Sequence, residues 1–154
     1  MSLTQEEANS LLSLPKVFVE QSPLEFSLTE PMDYERTLRS MDRREEFLLT
    51  VERGIRNRLR LKYRTRTRKI IILARLDYKG RRHRNPPESP YKPGQWLSGT
   101  HLHLFREGFD DRIAYDLYDV PEWANNSADD GIDALEQFLR FCAVTAWPEI
   151  QTSI

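Results

Sequence analysis

The chain has a single cysteine, Cys142, among 154 residues. An intramolecular disulfide is therefore excluded, and the fold must rest on a packed core. No apolar run is long enough to cross a bilayer or to act as a secretory leader, so the expected setting is a reducing cytoplasm without a membrane partner. There is no glycine-rich phosphate loop, no Gly-x-Ser-x-Gly elbow and no paired-cysteine motif, which leaves kinase, hydrolase and zinc-ribbon chemistry without support. At 18.2 kDa the chain has the size of one domain around one core, and residues 1–154 are read as such.

Net charge is almost absent too, at −1, but its distribution is lopsided. Arg53 to Arg84 holds 14 Lys or Arg and one acid, Asp77, leaving 9 bases and 23 acids for the rest. The segment is thus +13 and the remainder −14. Such asymmetry fits an anionic partner such as RNA, and equally fits neutralisation by the acidic flanks.

What is present is mostly short alternation. Residues 5–13 have helical spacing through Ala8, Leu11 and Leu12 behind Thr4-Gln5-Glu6-Glu7, which has the form of a capping box. Period-two runs follow at 17–19, 25–28, 34–40, 46–53, 58–64, 69–78, 101–105 and 112–118. Residues 129–143 return to helical spacing through Ile132, Leu135, Phe138, Leu139 and Cys142, with Asp129 or Asp130 placed to cap. The expected fold is α+β: a curved, mostly antiparallel sheet flanked by an N-terminal and a C-terminal helix. Residues 81–99, with four of the nine prolines, form a loop long enough to suggest a functional role.

Residues 56–68 read RNRLRLKYRTRTR, a cation at every second position from Arg56 to Arg68. In one strand all seven would share a face, about 7 Å apart, close to the spacing of phosphates along a nucleic-acid strand. Register divides the ladder. A three-residue loop at 54–56 pairs Val51 with Leu59, Leu49 with Leu61 and Phe47 with Tyr63, and sets Glu52 beside Arg58 and Glu46 beside Arg64. The next hairpin, turning near Arg66 and Thr67, pairs Tyr63 with Ile70 and brings Arg58 to Arg75. Arg58, Arg60, Lys62, Arg75, Arg82 and Arg84 are the expected phosphate contacts, with affinity that is electrostatic and salt-dependent.

The three histidines, His83, His101 and His103, lie within 21 residues. On a strand His101 and His103 share one face, and a hairpin pairing Glu107 with Arg112 would set His103 against Asp116, a carboxylate that orients the imidazole. One chemistry is general acid and base work on an RNA phosphodiester by His101 and His103, with Asp116 orienting, His83 nearby and Arg75, Arg82 or Arg84 stabilising charge. Another is a metal held by the H-x-H pair with His83, Asp77, Glu107 or Asp116. A third is purely structural: strand histidines that face solvent or hold the long loop by hydrogen bonds.

The frame RLDYKG-x-x-HRNP, followed by HLHLFREGF and an Ala-Tyr strand, spans about residues 68–117 and resembles a family of small bacterial and prophage-associated proteins of unknown function. The combination of a basic sheet and His-rich strand ends is similar, at the level of fold analogy, to toxin-type ribonucleases. The expected function is interaction with RNA or another polyanion, extending to metal-independent ribonuclease chemistry with no cofactor. The alternatives are a non-enzymatic prophage or defence-related module that binds a protein partner, and a metal-binding protein.

Overall fold

The computed structural model describes residues 3–123 and 128–154. A helix, α1 (Gln5–Ser13), opens the chain behind a reciprocal capping box: the Glu7 amide donates to Thr4 Oγ1 at 3.1 Å and the Thr4 amide to Glu7 Oε1 at 2.9 Å. Then come β1 (Lys16–Phe18), β2 (Leu24–Ser27), β3 (Met32–Ser40), β4 (Glu46–Arg53), β5 (Leu61–Thr67), β6 (Ile71–Tyr78), β7 (His83–Arg84), β8 (Trp96–Leu97), β9 (His101–Leu104) and β10 (Ala114–Tyr115). A 3₁₀ turn at Leu117–Asp119, α2 (Gly131–Phe141) and β11 (Ile150–Ser153) complete it. Seven strands form one open antiparallel sheet in the order β1-β3-β4-β5-β6-β9-β10. The α+β expectation with two flanking helices holds; β11, which runs parallel to β2, and the β7–β8 hairpin were not foreseen.

The pleat sorts the sheet into two faces. On the inner face, Val51, Tyr63, Leu76, Leu102 and Tyr115 lie in one row across five strands, with Leu49, Thr65, Ala74 and Leu104 in the next. Leu135, Phe138 and Leu139 of α2, Cys142 at its C-cap, and Ala8 and Leu11 of α1 join this face in one buried cluster. Asp130 caps α2 through the Asp133 amide, and Gly131 sits so near the sheet that a Cβ there would lie 2.4 Å from Leu61 Cδ1. Tyr63 OH donates to the Gly131 carbonyl at 2.7 Å, joining helix to sheet.

The registers on both sides of β5 differ from expectation, each by an even number of residues on the face that matters. The β4–β5 connection is seven residues, 54–60, and Val51 faces Tyr63 rather than Leu59. Asn57 accounts for this, because its side chain accepts from the Leu59 amide at 3.0 Å and its carbonyl from the Arg60 amide, a turn inside the loop. Leu59 is consequently 69% exposed instead of core, while Leu61 and Tyr63 are inside as expected. The second turn comes after Thr67, at 68–70, with Arg68 and Lys69 both at positive φ. Tyr63 therefore pairs with Leu76, and Arg64, not Arg58, faces Arg75.

Lys16 ties both helices to one end of the sheet. Fully buried, its Nζ donates to the carbonyls of Leu12 and Leu14 at the end of α1 and of Cys142 at the end of α2, at 2.8–2.9 Å, over the Phe47 ring. Burial lowers the ammonium to about 8, so it remains largely charged at neutral pH. Lys16→Met should cost about 2 kcal/mol by stranding carbonyls that water cannot reach. Urea unfolding at pH 7 tests this, and an unchanged midpoint would mean the carbonyls find other donors.

Candidate functional site

The outer face carries the polar residues, also in rows. Thr50, Arg64, Arg75, His103 and Ala114 form one, and Glu52, Lys62, Asp77 and His101 the next. Antiparallel pairing of β6 with β9 is what brings Arg75 to His103 and Asp77 to His101. The β7–β8 hairpin then folds over β9, placing His83 against both: ring centroids are 4.6 Å from His83 to His103, 4.9 Å from His101 to His103 and 5.7 Å from His83 to His101.

Two features hold the hairpin there. At its neck the Gly80 amide donates to the Gly99 carbonyl at 2.9 Å, and a Cβ on Gly99 would lie 2.3 Å from the Gly80 oxygen, a contact only glycine permits. Further on, the buried Asn85 side chain accepts from the Ala114 amide at 2.8 Å and donates to the Ala114 carbonyl at 3.0 Å, so it pairs with edge strand β10 as a strand residue would. The HRNP run thus supplies one cluster residue, His83, and the amide that docks it.

Each imidazole is fixed by a main-chain carbonyl. His101 Nδ1 faces Ser98 O at 2.6 Å, His103 Nδ1 faces Asp111 O at 2.8 Å and His83 Nε2 faces Arg112 O at 2.9 Å. A carbonyl only accepts, so those nitrogens carry the protons and the neutral rings have lone pairs on His101 Nε2, His103 Nε2 and His83 Nδ1. Arg75 sits among them, donating through Nε to Asp77 Oδ1 at 2.8 Å, through Nη1 to Asp111 Oδ2 at 3.1 Å and through Nη2 to His103 Nε2 at 2.8 Å. Burial, reinforced by the Arg75 charge, lowers His103 to about 3. Burial also lowers His83. For Asp77 burial opposes ionisation, but the Arg75 guanidinium, donating to Oδ1, helps to hold the carboxyl well below its usual range.

Asp116 is not the partner of His103. The turn between β9 and β10 is shorter by one rung than expected: Arg106 bridges Asp110, Gly108 and Asp110 adopt positive φ, and Ala114 lies opposite His103. Asp116 instead starts the 3₁₀ turn and accepts from Lys92 Nζ at 2.6 Å, Tyr91 OH at 3.1 Å and Tyr118 OH at 3.2 Å. Its place beside the imidazoles is taken by Asp77 and Asp111.

The cation ladder is largely neutralised. Arg58 pairs with Glu30 and Arg64 with Glu52, each at 3.1 Å, while Arg66 pairs with Glu35 and Arg75 with Asp77 and Asp111. Glu52 thus meets Arg64 rather than Arg58, and Glu46 faces Arg39 rather than Arg64. Arg60 lies in the 54–60 loop and Lys62 is exposed on β5. Lys79, Arg81, Arg82 and Arg84 are exposed around His83 and have no ion pair among the described residues. Arg82 lies over the ring of Trp96, 4.8 Å from its centroid, and Arg84 Nε donates to Gly94 O. A cleft of about 610 Å³ between α1 and the 3₁₀ turn, lined by Gln5, Leu12, Arg106, Tyr115 and Phe141 among others, lies away from these histidines and contains no imidazole or thiol.

The His103 shift makes stability pH-dependent. Its folded value lies below that of the unfolded chain, so the unfolded state binds more protons between about pH 3 and 6.5; stability is complete above that window and declines as pH falls through it. Denaturant unfolding should lose about 2 kcal/mol between pH 7 and pH 5, and His103→Gln should flatten this dependence. An equal dependence in both proteins would show that His103 protonates freely in the fold.

No curated protein and no solved structure matches this chain. A family of unknown function, DUF6978, matches residues 3–144, which include both helices and all three histidines. The chain therefore belongs to DUF6978.

Proposed function

We propose that the protein binds single-stranded nucleic acid, RNA in preference to DNA, across the β7–β8 hairpin. The observation that carries this reading is the Arg82–Trp96 pair: an indole 57% exposed, with a guanidinium against its ring, beside His83 and among four cations without carboxylate partners. An exposed indole offers any unpaired base a stacking surface, and Arg81, Arg82 and Arg84 offer charge to the flanking phosphates. Unpaired, splayed bases are the usual target on RNA loops and ends. The basic surface is thus moved from the strand ladder, where carboxylates occupy Arg58, Arg64, Arg66 and Arg68, to the hairpin, where they occupy none of the arginines.

Proton transfer to or from a bound strand falls to His83. His101 and His103 are each 1% exposed, and both ring nitrogens of His103 are engaged. His83 is only half-buried, keeps a lone pair on Nδ1, and is held neutral by burial, which suits a proton acceptor for a ribose 2′-hydroxyl.

Fluorescence anisotropy with a labelled single-stranded oligoribonucleotide should show binding at 50 mM salt that weakens steeply by 200 mM, with a log–log slope of about −2 for three phosphate contacts. Trp96→Ala should weaken it at least about fivefold. Absence of binding at low salt, or indifference to Trp96→Ala, overturns the reading. Any cleavage should be lost in His83→Ala with binding retained; cleavage that survives this change removes the catalytic part alone.

A further inference from the structure

Beneath His83, the pairing of β6 with β9 leaves one polar atom unaccounted for. His101 Nε2 is buried and has no hydrogen-bond partner. Its proton is on Nδ1, held by Ser98 O, so Nε2 presents a lone pair, and what it faces is another acceptor: Asp77 Oδ2 at 3.5 Å. Two acceptors facing each other in a dry site are unfavourable unless a cation lies between them. One ligand atom from each of Asp77, His101 and His103 lies within 4.8 Å of the other two, all three residues buried.

We infer that Asp77, His101 and His103 form a binding site for one divalent transition-metal ion, with zinc as the best fit. Bonds of about 2.0–2.2 Å at tetrahedral angles put neighbouring ligand atoms roughly 3.4 Å apart, close to the observed Nε2 to Oδ2 separation. Two neutral imidazoles and one carboxylate suit borderline ions and are a poor set for calcium or magnesium. The outer contacts are those a metal site needs: Ser98 O and Asp111 O fix the two ligand tautomers, and Arg75 Nε holds Asp77 Oδ1, leaving Oδ2 for the ion. The lone pair of His103 Nε2 must pass from Arg75 Nη2 to the ion when it enters, which shifts the planar guanidinium as a whole relative to Asp77 and Asp111. Asp77 and Asp111 against Arg75 give the pocket one excess negative charge, which the ion offsets. The fourth position opens toward His83, the half-buried member of the cluster. This site is independent of nucleic-acid binding on the hairpin above it.

The test uses full-length protein without a histidine tag, stripped with chelator and titrated with zinc alone. Elemental analysis after gel filtration should find about one equivalent bound, and a cobalt titration should give the intense visible absorption of a four-coordinate site. His101→Gln and Asp77→Asn should each weaken zinc binding at least tenfold, with circular dichroism checking that each variant folds. Wild-type protein that binds no zinc at micromolar concentration, or that binds it equally after both substitutions, overturns the inference; the former result would mean that a proton on His101 Nε2 already supplies the cation. Should both variants fail to fold, the wild-type zinc stoichiometry and cobalt spectrum decide the question.

Discussion

The guanidinium of Arg75 is the interaction around which the outer face is organised. Two imidazoles and the Asp77 carboxylate lie together on a sheet face where solvent hardly reaches them, with the half-buried Asp111 beside them, and each buried group would be costly alone. One planar cation with three donors directed at Asp77, Asp111 and His103 satisfies most of that demand at once. A lysine in its place would supply charge without the fork, so the geometry of the cluster would not survive the exchange. Because Arg75 and Asp77 are two residues apart on one strand and His103 and His101 two apart on the next, one strand pairing assembles all of this but Asp111.

The same sheet separates support from chemistry. The inner face is filled by α1 and α2, with Lys16 joining their carbonyl ends, and contributes shape. The outer face grades from an acidic side through the β5 arginines to the histidines, and the salt bridges across it consume most of the ladder. Beyond the ladder, Arg81, Arg82 and Arg84 stand without a carboxylate on the hairpin that overlies the cluster. A buried polar centre with an exposed basic and aromatic cover is a different object from the continuous cationic strand that alternation alone implies.

Much of this was legible in the sequence. The Thr4–Glu7 box and the periodicity of residues 129–143 placed both helices within a few residues, because capping and burial are local constraints. Alternation assigned Leu61, Tyr63, Leu102 and Leu104 to the core and the two β9 histidines to the opposite face. It did so although three registers were wrong, since facing depends only on whether a shift is even. The Asn57 turn was the overlooked signal for the longer 54–60 loop. Asp77 could not be found as the neighbour of His101, because that pairing joins residues 24 apart through strand order, which no local pattern encodes. The β7–β8 hairpin was hidden within proline-rich sequence, and its docking by a side-chain amide has no periodicity at all.

The pinch between Gly80 and Gly99 has a consequence for how this molecule can vary. Chain leaves the sheet and returns to it at one point, so everything from Arg81 to Ser98 is a closed lobe attached by a neck. Lengthening such a lobe adds only a slowly growing loop entropy and does not move β6 or β9. The exposed tip of this lobe can therefore change in size while His83, Asn85 and Ser98 keep the contacts that join its base to the residues beneath.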